Sequence, residues 1–189
     1  MSRFASVLIV TTSLAAAAFT VAAAGCSSSP TSPSATVDIP SGTHQSQLMA
    51  VAGIGTGGVS VTPMSVPSQT FAAVIKVRVQ RARANTTYIV QRAPEIGRAL
   101  GSDGTCQRAL GQTPWSAADA PAPAFVTFPN GTAPYSVLTD SSGNGSLEFE
   151  FLAATIPAGT LFDVMFRLVD NETAATLDLR SACFTVTVR

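Results

Sequence analysis

Phe162-Asp163-Val164-Met165-Phe166-Arg167-Leu168 decides the fold. Apolar Phe162, Val164, Phe166 and Leu168 occupy every second position, and Asp163, Met165 and Arg167 fall between them. That period of two belongs to a strand with one face on a core and one toward water. The pattern returns upstream, where Ile75, Val77 and Val79 interleave with Lys76, Arg78 and Gln80. It returns again at the C-terminus, with Phe184, Val186 and Val188 inward and Thr185, Thr187 and Arg189 outward. Further strands are expected over Gln47–Ala52, Gly58–Met64, Thr87–Arg92, Phe125–Phe128, Tyr135–Thr139 and Ser146–Phe151. Turn chemistry separates them at Pro129-Asn130-Gly131, Ser142-Gly143-Asn144-Gly145, Pro157-Ala158-Gly159 and Asp170-Asn171. No sustained helical period interrupts this series. About eight or nine short strands over 47–189, with a long excursion at 93–124, imply an all-β antiparallel sandwich.

Within this series, Asn85-Thr86-Thr87-Tyr88-Ile89-Val90 resembles the tyrosine corner of fibronectin-type and other immunoglobulin-like modules. Ala82 and Ala84 stand where that family carries Leu and Pro. The resemblance implies an immunoglobulin-like arrangement of the sandwich, with the Tyr88 hydroxyl bonded back to the backbone.

The N-terminus reads as an export signal. Arg3 supplies a positive start, and Phe4 to Ala24 is uncharged and rich in Ala, Val and Leu. Ala23, Ala24, Gly25 and Cys26 then resemble the lipobox of bacterial lipoproteins, with Ala23 where Leu is usual. That resemblance implies cleavage of 1–25, a lipid (palmitate-type acylation) on Cys26 and a membrane anchor. Secretion after Ala24 and retention of the segment as an uncleaved anchor are the alternatives. Ser27 after the cysteine implies the outer membrane of the cell envelope, if the host has two membranes. Residues 26–46 are expected to form a tether, since Ser27 to Gly42 is Ser-, Thr- and Pro-rich. Sixteen or so residues span up to ~50 Å at full stretch.

Three cysteines are an odd number for an exported chain. With Cys26 carrying lipid, Cys106 and Cys183 remain to form one disulfide or to stay as free thiols. An oxidising compartment favours the bond. Parity places Cys183 on the outer side of its strand. The bond would therefore clip a loop onto the sheet surface, whereas antibody domains bridge their two sheets.

Composition removes several function classes. Charged residues make up 12% of the 189 residues and the formal net charge is zero. Nucleic acid as a partner would need a basic excess. Basic residues concentrate between Lys76 and Arg108 and acidic ones between Asp140 and Asp178, which suggests pairing across adjacent strands. The one histidine, His44, lies in the tether, away from any Ser or Cys nucleophile and too solitary for a His-based zinc site. A carboxylate-based envelope hydrolase stays formally open, and no cofactor is implied.

Several local motifs remain. Gly53, Gly55 and Gly58 spell G-x-G-x-x-G, yet Val59-Ser60-Val61 and Pro63 follow where a helix is needed, so a strand connection is expected. Asp140, Ser142, Asn144 and Gly145 match the start of a calcium loop, but Phe151 stands where the twelfth-position Glu belongs. The four asparagines, Asn85, Asn130, Asn144 and Asn171, all lie in N-x-[ST] sequons and are expected at exposed turns. The 93–124 excursion holds Arg98, Arg108 and Trp115, residue types enriched at binding hot spots. The expectation is a non-catalytic module that binds an envelope protein or glycan through this loop. A structural or assembly accessory without a specific ligand is the alternative.

Overall fold

The computed structural model describes residues 42–51, 53–66, 70–97, 101–111, 124–171 and 179–189. Among them every regular element is a strand: β1 (His44–Ala50), β2 (Thr56–Met64), β3 (Thr70–Gln80), β4 (Thr87–Glu95), β5 (Val126–Thr127), β6 (Pro129–Asn130), β7 (Ala133–Pro134), β8 (Ser136–Leu138), β9 (Gly145–Thr155), β10 (Leu161–Asp170), β11 (Leu179–Ser181) and β12 (Phe184–Thr187). The neighbours run β5-β4-β10-β11-β1-β2-β3-β9, with β8 on the free edge of β4 and β12 beside β11 on β10. Every pairing is antiparallel. The all-β expectation holds.

This sheet curls over its own inner face. Phe71 of β3 meets Phe162 of β10 edge-on at 5.4 Å, although three strands separate them in the sheet order. Phe128, just after β5, packs on Phe149 and Phe151 of β9 at 5.1 and 5.0 Å and stacks on Phe166 of β10 at 5.8 Å. The inward residues of the alternating strands, among them Ile75, Val77, Val79, Phe162, Val164, Phe166, Leu168 and Val186, form one core. Each such side chain contributes roughly 1.5–3 kcal/mol on burial.

The strands start and stop a little differently from their pattern. β1 begins at His44, inside the stretch expected as tether, because His44, Gln45 and Ser46 pair with Val61, Ser60 and Val59. Backbone pairing asks nothing of the side chains, so a polar strand end carries no hydrophobic signal. β11 and the short pair β6–β7 also lack one, since two or three residues cannot display a period.

On β3 the expected wet face is wet, with Lys76, Arg78 and Gln80 exposed. On β10 it is not. Asp163 and Met165 are as buried as the core residues that alternate with them, because residues 101–111 lie across that face. Met165, Ala93, Phe125 and Cys106 form a second, smaller core there.

The corner expected at Tyr88 is present. Tyr88 is 1% exposed, and the Arg83 N–H donates to its hydroxyl at 3.3 Å. Opposite charges pair across the sheet as their distribution suggested: Lys76 with Glu148 at 3.1 Å, and Arg83 with Asp170. The first pair is exposed and contributes at most about 1 kcal/mol.

Candidate functional site

Two features combine polar chemistry with an apolar setting. One is the strapped excursion on the outer face of β4 and β10. The other is a cleft on the inner face.

The strap is built on two carboxylates that the register sets directly opposite each other, Asp163 on β10 and Glu95 on β4. Asp163 is fully buried and accepts from the Asp103 and Gly104 N–H groups at 2.9 and 3.1 Å, from Thr185 Oγ1 at 2.7 Å and from Ser102 Oγ. Glu95, 1% exposed, accepts the Arg108 N–H at 2.5 Å. A buried carboxylate is tolerated when donors surround it, and apart from Thr185 of β12 these donors come from the strap itself. Cys106 is bonded to Cys183, with their Cα atoms 5.5 Å apart. The disulfide therefore clips a loop to the outer surface, as parity required. These carboxylates hold backbone and hydroxyl donors in place, and the strap covers them.

Of the three residues expected to bind, Arg108 is half-buried and turned back on the domain, its Nη1 donating to the Pro94 carbonyl at 3.4 Å. Arg98 and Trp115 lie outside the described residues, as does Cys26. The side-chain oxygens of Asp140 and Asn144 in the calcium-like loop accept from backbone N–H groups. Asp140 Oδ1 accepts from the Ser142 and Asn144 N–H groups at 2.8 and 2.9 Å, and Asn144 Oδ1 accepts from the Arg81 N–H at 3.3 Å. That is the turn chemistry of Asp and Asn. Among the described residues no group of three or more His, Cys, Asp or Glu converges as a metal site would need. Gly53 and Gly55 take positive φ in the β1–β2 connection, and Gly58 sits inside β2, so this glycine motif makes a strand turn. Asn85, Asn144 and Asn171 are exposed. His44 belongs to β1, where its Nε2 accepts the Thr187 N–H at 3.4 Å. Burial, and Arg189 nearby, hold its pKa below the ordinary 6.5.

The cleft lies where the two ends of the curled sheet, β9 on one side and β4–β5 on the other, diverge. It has a volume of about 60 Å³, and Phe71, Phe162, Ile156 and Val186 are among its walls. Arg92 stands among these apolar side chains. Its guanidinium lies over the Phe128 ring at 4.2 Å and the Phe151 ring at 4.3 Å, and Nη1 donates to the Thr127 carbonyl at 3.2 Å. Burial pushes its pKa down to about 10, so it keeps its charge at neutral pH.

The sequence reading passed over Arg92. The signal was available in the parity of β4, where Tyr88 and Val90 point inward and Arg92 and Pro94 follow in the same phase. A cation on an inward position is costly unless something offsets it.

No known protein family, no curated protein and no solved structure matches this chain.

Proposed function

We propose that this protein is a non-catalytic envelope lipoprotein: an acylated Cys26, a short tether and a rigid, immunoglobulin-like β domain that displays the 93–124 excursion to an envelope protein or glycan. The observation that carries this reading is the Cys106–Cys183 bond. It accounts for two of the three cysteines and leaves Cys26, at the end of the signal-like segment, as the odd one. A disulfide suits an oxidising compartment. Anchoring residues 101–111 to the sheet also favours display, because a rigid platform lowers the entropy lost when a loop binds.

A spacer or assembly accessory without a ligand is the second reading, favoured by the inward turn of Arg108. One pair of experiments separates the two. Cys26→Ala is expected to move the protein from the membrane to the soluble fraction and to abolish incorporation of labelled palmitate. Continued membrane association of that variant would remove lipid as the anchor. The released form should then co-sediment with purified cell-wall glycan or outer-membrane fractions, and Arg98→Ala with Trp115→Ala should weaken it severalfold. A released form that binds neither fraction supports the spacer.

A further inference from the structure

The inner cleft is unlike the rest of the core. A curled sheet needs no cation to close its open seam, and another aliphatic residue at position 92 would fill that space without desolvating a charge. The chain instead places a guanidinium there, on the seam between β9 and β5. The contacts of Arg92 among the described residues are one carbonyl and two ring faces. Burial is what lowers its pKa.

Ring faces attract a guanidinium through their quadrupole, and they also hold its plane in a fixed orientation. A guanidinium carries five N–H donors. With Thr127 accepting from one of them, the planar fork keeps further donors for an anion at the seam. Behind it lie apolar walls with room of about 60 Å³. For comparison, an engineered apolar cavity of roughly 150 Å³ takes up benzene. The room here suits a compact group of a few carbons, smaller than a ring. Apolar walls with one oriented polar group are the usual make-up of a small-molecule site.

From this juxtaposition we infer that the cleft binds a small monocarboxylate, its carboxylate paired with the Arg92 guanidinium and its short branched aliphatic end lodged between Phe71, Phe128, Phe151 and Phe162. The site is independent of lipidation and of the 93–124 loop as a binding surface, and it stands whether or not either proposal holds. The carboxylate supplies the charge-assisted bidentate partner that a guanidinium fits best. The aliphatic end displaces nothing well bound, since an apolar cavity of this kind does not hold ordered water.

The test uses the full-length, disulfide-bonded chain, with isovalerate as the probe and isoamyl alcohol as its uncharged counterpart. Ring resonances of Phe128 and Phe151 are followed by NMR during titration. Isovalerate is expected to shift them saturably and to bind at least about tenfold more tightly than the alcohol, the discrimination a charge-assisted bond supplies. Arg92→Met should bring the two probes to equal affinity. Ala153→Leu, which fills the cleft and leaves Arg92 in place, should abolish binding of both, and it decides the matter should Arg92→Met fail to fold. No saturable shift with isovalerate, equal affinity for acid and alcohol in the wild type, or undiminished binding in Ala153→Leu would each overturn the assignment.

Discussion

Tyr88 shows how one hydroxyl organises a corner. Its ring lies in the core and its oxygen accepts the Arg83 N–H across a turn where Asn85 takes a positive φ of 51°. Tyr88→Phe keeps the ring and removes that acceptor, so a loss of about 1 kcal/mol is expected by urea denaturation. An unchanged midpoint would show that the bond contributes nothing. Gly143 has no room for a side chain. It has a φ of +75°, and a Cβ there would fall 2.1 Å from the Ala82 carbonyl oxygen, while its own carbonyl accepts the Ala82 N–H at 3.0 Å. Gly143→Ala combines a disfavoured φ with a backbone clash and should cost more than about 2 kcal/mol. A smaller loss in the same denaturation assay would mean that the 140–144 turn and the Ala82 strand end can separate cheaply. The sequence marked both sites, Tyr88 by its corner motif and Gly143 by its turn run. The clash partner Ala82 lies about sixty positions away, and only the folded chain reveals it.

The strap at 101–111 is the element that most changes the picture drawn from pattern. Alternation in Phe162–Leu168 assigned Asp163 and Met165 to water, because parity reports which face a residue is on and is silent about what covers that face. Ser102, Asp103 and Gly104 carry no hydrophobic signal, yet they supply the donors that make a buried Asp163 tolerable. Asp163→Ala leaves those donors and Thr185 without their acceptor. A loss of about 3 kcal/mol is expected, with faster amide exchange confined to residues 101–111. Exchange that rises across the whole sheet would contradict a local role. Reducing the Cys106–Cys183 bond, which closes a loop of 77 residues, should cost about 4.5 kcal/mol on the chain-entropy account. The two changes release the same element, so their combined effect should fall short of their sum. Additive losses would show that the disulfide and Asp163 act on separate units.

At the scale of the whole domain, the first strand and the last meet at His44. β1 bridges β11 and β2, and the His44 imidazole accepts a backbone N–H from Thr187 of β12. Burial, then Arg189, holds the folded pKa below the ordinary 6.5, so between the two values the unfolded chain binds the extra proton. Stability from this group is therefore complete above pH 6.5 and is lost as pH falls through the lower folded value. Thermal midpoints measured from pH 8 to 5 should show the wild type losing ground to His44→Gln as the solution is acidified. Parallel profiles would remove His44 as a link between β1 and β12. By itself the sequence determined that the domain is all-β, where its main strands and turns lie, that Cys183 falls on the outer side and that Tyr88 makes a corner. Those are local properties, written in period-two alternation and turn chemistry over a few neighbouring residues. The tertiary structure alone decided that β1 starts at His44, that the outer face of β10 is covered, and that Arg92 sits over two phenylalanine rings at the seam. Each of these depends on residues distant in the chain, and a pattern of period two carries no information about what lies across from it.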